Sequence, residues 1–234
     1  MRRKGIERSW FFLWMWVICC LVLSLNCQHQ KRSALEKTRV LPIKKAVFVG
    51  FLPAVTAKEE SGVYRNPLSG SVVSAEPVSR DVVLKMNDIL FDRVTAEKGY
   101  ELVSRTQAMG VYSSIVASDQ NVGMPAIKVI QEVGKTFNAD AVLVGYIYRW
   151  REREGKDYAV DRAASVSFDL QLVRSFEGAI LWKGKFDKTQ HSLSENILDM
   201  GTFLESGGKW MTAEKLAMIG LRKMLEEMPS GSEE

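Results

Sequence analysis

The chain has 234 residues, 46% hydrophobic and 26% charged, with a formal net charge of +4. Most of that excess sits at the amino terminus: without residues 1–26 there are 28 basic against 27 acidic side chains, and no basic stripe of the kind nucleic-acid binding requires. The three cysteines are Cys19, Cys20 and Cys27, so nothing beyond residue 27 can form an internal disulfide and the domain must be held by its own core.

In chain order, MRRKGIER carries four basic residues and one acid, and the 16 residues of WFFLWMWVICCLVLSL follow, apolar until Ser24. A basic segment followed by an apolar one is the pattern of an export signal, over residues 1–26. The apolar run falls short of the ~18–20 residues of a confident membrane span. Its three tryptophans and two phenylalanines keep an uncleaved inner-membrane signal anchor as the alternative. Ser24-Leu25-Asn26-Cys27 resembles the lipobox of bacterial lipoproteins, with Ser24 where that family has Leu and Asn26 where it has a small residue. The resemblance implies an acylated Cys27, a membrane partner through the lipid anchor and, with Gln28 next, the periplasmic face of the outer membrane. Residues 27–44 read as a polar tether, residues 45–228 as one α/β domain and residues 229–234 as a disordered tail.

KKAVFVGFLPA holds a near-continuous apolar run from Ala46 to Leu52, which predicts a strand covered on both faces. Residues 55–76 read as a long polar loop, functional or mobile, in which Tyr64 is a candidate contact. A helix is predicted from Pro77, with Val78, Val82, Met86, Leu90 and Val94 on one stripe and Gly99 ending it. A short strand at Tyr100–Val103 precedes a capping box, Ser104 to Gln107, and a second helix to about residue 117. Gly123-Met124-Pro125 opens a third, with Ile127, Ile130, Val133 and Phe137 on one side. Its Gly134-Lys135-Thr136 is no phosphate loop, because Val129 stands where the leading glycine belongs and the triplet lies near a helix end.

The second half alternates. Asp140–Trp150 starts apolar and then alternates; Ala164–Leu172 places Val166, Phe168, Leu170 and Leu172 opposite Ser165, Ser167, Asp169 and Gln171; Gly178–Phe186 places Ile180, Trp182 and Phe186 opposite Lys183 and Lys185. Period two predicts a three-stranded antiparallel meander with one dry and one wet face. A last helix from about Ala213 to Glu227 carries Ala213, Ala217, Leu221 and Met224, capped by Thr212. The order predicts an α/β fold with a mixed sheet: early parallel strands with right-handed helical crossovers, then the meander, with the helices packed on one face.

Ala139–Gly145, Ser165–Val173, Glu177-Gly178 and Leu181-Trp182 together resemble, over roughly residues 45–190, a group of bacterial envelope lipoproteins. The group includes the curli-secretion lipoprotein, the penicillin-binding-protein activator lipoprotein and the amino-terminal domain of TolB. The resemblance implies periplasmic scaffolding or binding without shared catalysis. It leaves open a subunit of an outer-membrane secretion pore and an oligomer.

A hydrolase would have to use His191, Ser192 or Ser194, and Glu195, which are adjacent in sequence and lack a Gly-x-Ser-x-Gly elbow. A capping box, Ser192 to Glu195, opening a short helix reads these residues better, so no catalytic residue, metal or cofactor is expected. That helix carries Leu193, Ile197 and Phe203, is too short to stand alone, and precedes the joint Gly207-Gly208 and Trp210. The segment and the 55–76 loop together form the predicted surface for another envelope protein. Cys27→Ala is expected to abolish fatty-acid labelling and release the chain into the soluble periplasm; unchanged membrane retention would point to the signal anchor.

Overall fold

The structure is a computed structural model that describes residues 42–155, 160–190 and 210–231. The apolar run forms β1 (Lys45–Pro53). A hairpin of β2 (Gly62–Arg65) and β3 (Val72–Ala75) follows, then α1 (Arg80–Lys98), β4 (Glu101–Val103) and α2 (Arg105–Ala117). After α3 (Ala126–Thr136) come β5 (Ala141–Arg151), the short ribbon β6 (Glu154–Gly155) and β7 (Val160–Arg162), β8 (Ser165–Arg174), β9 (Ile180–Thr189) and α4 (Ala213–Glu227). The main sheet has the order β4-β1-β5-β8-β9. β1 is parallel to β4 and β5, while β5, β8 and β9 form the antiparallel meander. This is the mixed α/β sheet that the residue pattern implies.

The helices, expected on one face, lie on both. α1 and α4 bury Met86, Leu90, Leu216 and Leu221 against Phe48, Phe51, Phe168 and Leu170. α2 and α3 bury Ala108, Ile130 and Val133 against Val47, Val49, Val142 and Val173. The crossover handedness is the reason. From β1 the chain steps one way to β4, then back past β1 to β5, and two right-handed crossovers in opposite directions place their helices on opposite faces. Gly134, the rejected phosphate-loop glycine, lets α3 approach closely: a Cβ there would collide with the side chains of Ser175 and Val142.

The wet face of the meander is also corrected. Ser167 and Gln171 are 0% exposed and Ser165 and Asp169 1%. Residues 55–76 are a hairpin as well as a loop, and it folds back over the sheet, packing Tyr64, Val73 and Ala75 on Tyr146 and Tyr148. On edge strand β9, Trp182 is half-buried, less than its alternation implies.

Several termini differ from expectation. An isolated bridge from Val55 to Pro77 keeps the chain extended through Pro77, so α1 starts at Arg80 and Ser79 accepts from the Val82 N–H (3.4 Å). The Ser104 hydroxyl donates to Gln107 Oε1 (2.9 Å) instead of capping α2. Of the tail, residues 229–231 are docked: Tyr100 O–H donates to the Pro229 carbonyl, and the Gly231 N–H to the Lys98 carbonyl (2.6 Å).

Phe168→Ala is expected to cost about 3–5 kcal/mol through the cavity it leaves. Gln171 has no hydrogen-bond partner at either end of its amide among the described residues, so Gln171→Met should hold or raise the unfolding free energy, by up to about 1–3 kcal/mol. Equilibrium unfolding of the two variants checks both.

Candidate functional site

Two irregularities in the central strands shape the carboxyl end of the parallel strands. In β1 the pairing with β5 slips between Phe48 and Gly50, leaving Val49 as an extra residue. The slip inverts the alternation. Ala46, Phe48 and Phe51 face α1, and Val47 and Val49 face the α2–α3 side. Beyond Val47 the partner β4 has ended. Asn87 of α1 takes its place: Oδ1 accepts from the Phe51 N–H (2.7 Å), and Nδ2 donates to the carbonyls of Phe51 (3.0 Å) and Val83 (2.8 Å). Gly50 has φ of 73°, and a Cβ there would run into Asn87 Oδ1. Where β4 is missing, a cleft of about 440 Å³ opens between Phe48, Asp88, Phe91, Ser104 and Arg105, and one of about 410 Å³ lies on the other side of Arg105.

In β5 the slip falls between Ile147 and Arg149, and it brings Tyr148 and Arg149 onto the polar side of β8. Tyr148 O–H donates to Asp169 Oδ2 (2.8 Å), Asn66 Nδ2 to the same oxygen (3.1 Å) and the Tyr146 N–H to Oδ1 (3.3 Å). Asn66 Oδ1 accepts from the N–H groups of Leu68 and Ser69 (2.8 Å each), so one buried amide both shapes the hairpin turn and clamps it to the sheet. The Tyr64 ring lies 5.9 Å from Tyr146 and 6.0 Å from Tyr148. Burial lifts the Asp169 carboxyl above the usual carboxylate range, against the hydrogen bonds from Tyr148 and Tyr146 and the charges of Lys183 and Lys185. Burial also raises the Tyr64 phenol.

A third feature shares this end of the sheet. Arg151, Ser165 and Thr189 form one row across β5, β8 and β9. Arg151 holds Glu76, where the hairpin returns, with Nε donating to Oε2 at 2.8 Å. One residue past Thr189 the Gln190 N–H donates to the Ala164 carbonyl (3.0 Å), and Gln190 Oε1 accepts from the Met211 N–H (2.7 Å). Glu152 Oε2 then accepts from the Ala213 N–H (3.1 Å). The end of β9 is thus tied to the backbone that leads into α4.

Of the residues singled out in the sequence, Cys27, Leu193, Ile197 and Phe203, like His191, Ser192, Ser194 and Glu195, lie outside the described residues. Trp210 is half-buried beside the tie. Tyr64 faces the sheet, and the outward side of the hairpin carries Val63, 80% exposed, and Val72, 57% exposed. Sequence reasoning passed over both valines. The signal was present: Asn66-Pro67 and Gly70 punctuate two short runs, GVYR and VVSA, as turn residues do between strands. Among the described residues no group of three or more His, Cys, Asp or Glu is placed to hold a metal ion, and no helix is long and apolar enough to cross a membrane.

No family model matches the chain, and no curated protein matches it. Among solved structures it is similar to the lipoprotein GNA1162 from Neisseria meningitidis, at 15% identity over 69% of this chain and 91% of that one, with a TM-score of 0.40. It is similar to the LpoB carboxyl-terminal domain from Salmonella enterica, at 15% identity over 68% and 92%, with a TM-score of 0.35. It is also similar to PelC from Paraburkholderia phytofirmans, a dodecamer, at 14% identity over 81% and 89%, with a TM-score of 0.43. At identities and TM-scores this low the likeness carries no function across.

Because the fold raises the Asp169 pKa, the folded state binds its proton more tightly than the unfolded chain does. The carboxyl then costs nothing below the unfolded value and weakens the fold as pH rises from there through the folded one. Asp169→Asn is expected to flatten the pH dependence of the urea midpoint in that window; an unaltered slope would show that Asp169 is not its source.

Proposed function

We propose that the chain is a non-enzymatic, lipid-anchored envelope protein whose domain binds a partner protein or assists its assembly, on the periplasmic side of the outer membrane. The export pattern of residues 1–26, Cys27 in its lipobox-like setting, and the alternations resembling envelope lipoproteins support the anchored half of this reading. The binding half rests on one observation: the outward side of the hairpin carries two exposed apolar side chains, Val63 and Val72. Exposed apolar side chains grouped on one surface are a common mark of a protein contact. Leu193, Ile197, Phe203 and Trp210 of the segment predicted from sequence complete the proposed surface. The partner reading therefore moves from Tyr64, whose ring packs under the hairpin, to the valines above it.

The lumen of a pore finds less support. The polar row of β8 that would have to face it is covered by protein.

Two variants test the proposal in the native envelope: Val63→Glu with Val72→Glu, and replacement of residues 191–209 by a short Gly-Ser linker. Both are expected to keep the unfolding free energy of the parent within about 0.5 kcal/mol, and to lower crosslinked partner recovery at least tenfold. Undiminished recovery from both would sink the surface assigned here. Collapse of the linker variant alone would place residues 191–209 in the core and leave the hairpin as the contact.

A further inference from the structure

We infer that the cleft between the carboxyl end of β1 and the first turns of α1 and α2 is a binding site for a carboxylate carried on an apolar body. The cleft measures about 410 Å³, within the ~300–1,000 Å³ of ligand sites. Leu52, Val78, Val83 and Met109 give it apolar walls, and its two ionisable side chains are Arg80 and Arg105. Its place in the fold is the one where open α/β sheets hold ligands: the carboxyl ends of two adjacent parallel strands, β1 and β4, whose outgoing connections run to opposite sides.

Charge selects an anion. Arg93, Arg149, Arg151 and Arg162 each have a carboxylate partner. Neither Arg80 nor Arg105 has a side-chain hydrogen bond or ion pair among the described residues, and Arg105 Nε is shut from water with no acceptor. The carboxylates of Asp88 and Asp92 line the neighbouring cleft, on the other side of Arg105. Glu59, near the cleft mouth, is engaged by the Thr56 N–H (2.7 Å) and hydroxyl (2.8 Å). Burial holds the Arg105 guanidinium below its ordinary value while Asp88 pulls the other way, so a bound anion would relieve an unbalanced charge. A planar carboxylate fits the fork of a guanidinium bidentately. Apolar walls on the remaining sides ask for an apolar body: a short acyl chain, or the terminal carboxylate of a peptide ending in an aliphatic residue. Thr56, Ala57 and Val78 belong to the two roots of the hairpin, which the Val55–Pro77 bridge joins.

The test is NMR titration of the full-length protein with hexanoate, N-acetyl-Gly-Leu, hexanamide and inorganic phosphate, reading the Arg105 Nε–H resonance and the Thr56 and Ala57 amides. Saturable shifts are expected with hexanoate or the dipeptide, and whichever binds more tightly identifies the acyl or the peptide source. Arg105→Gln should weaken binding at least tenfold, and Arg105→Lys should restore little of it, because the fork is lost. Ala57→Phe, on an exposed turn, narrows the cleft without touching the arginines and should weaken binding while leaving the fold intact. No saturable shift, equal affinity for hexanamide or phosphate, or an Arg105→Gln variant that binds normally overturns the assignment.

Discussion

One carboxamide holds the centre of this domain together. Asn87 bonds both the N–H and the carbonyl of Phe51, doing for β1 what another strand would have done had β4 been longer. The Gly50 bulge makes that contact possible, since any side chain there would occupy the place of the amide oxygen. The bulge also sets the parity of β1. Were β1 regular, Phe48 and Phe51 would point to opposite faces; the extra residue puts both beneath α1, where Phe48 meets Phe91 edge-on at 5.2 Å and Phe51 meets Phe168 at 5.5 Å. The core on that face and the clefts at the sheet edge thus follow from the same local departure.

The other face is organised around a buried acid. Asp169 is the one charged residue in the alternating row of β8, and the hairpin is fastened to it through Asn66, with Tyr148 bonded to the same oxygen. Burying a carboxylate is costly, and three donors offset part of that cost here while burial still holds its pKa up. Ser167 and Gln171 on either side have no such donors or acceptors among the described residues. The hairpin is therefore positioned by one polar contact set in a row that is otherwise poorly matched, with the tyrosine cluster of Tyr64, Tyr146 and Tyr148 supplying the apolar part.

The mixed sheet, its antiparallel meander and the last helix were legible because they rest on long periodic runs: ASVSFDLQL reads as a strand whatever surrounds it, and α4 spans the predicted Ala213–Glu227. Side of burial was not legible in β8, because alternation reports which residues share a face and not what later folds onto it. Ser165, Ser167, Asp169 and Gln171 look solvated until what folds onto that face is known: the hairpin reaches Asp169 through Asn66, and α3 packs on the same side of the sheet. The hairpin itself was hidden by its short strands, each of four residues. The cleft at Arg105 could not be read from sequence at all, since it depends on β4 stopping at Val103 while β1 continues to Pro53.

The tie between Gln190 and Met211 has a consequence for how this chain can change over time. Gln190 Oε1 accepts directly from the Met211 N–H, so the end of β9 and the approach to α4 are held together by a side chain and not by the length of chain between them. Closing a chain costs only about 0.6 kcal/mol more for each doubling of its length, whereas replacing Gln190 removes the bond outright. Of the two kinds of change, it is substitution at Gln190 that the start of α4 would feel.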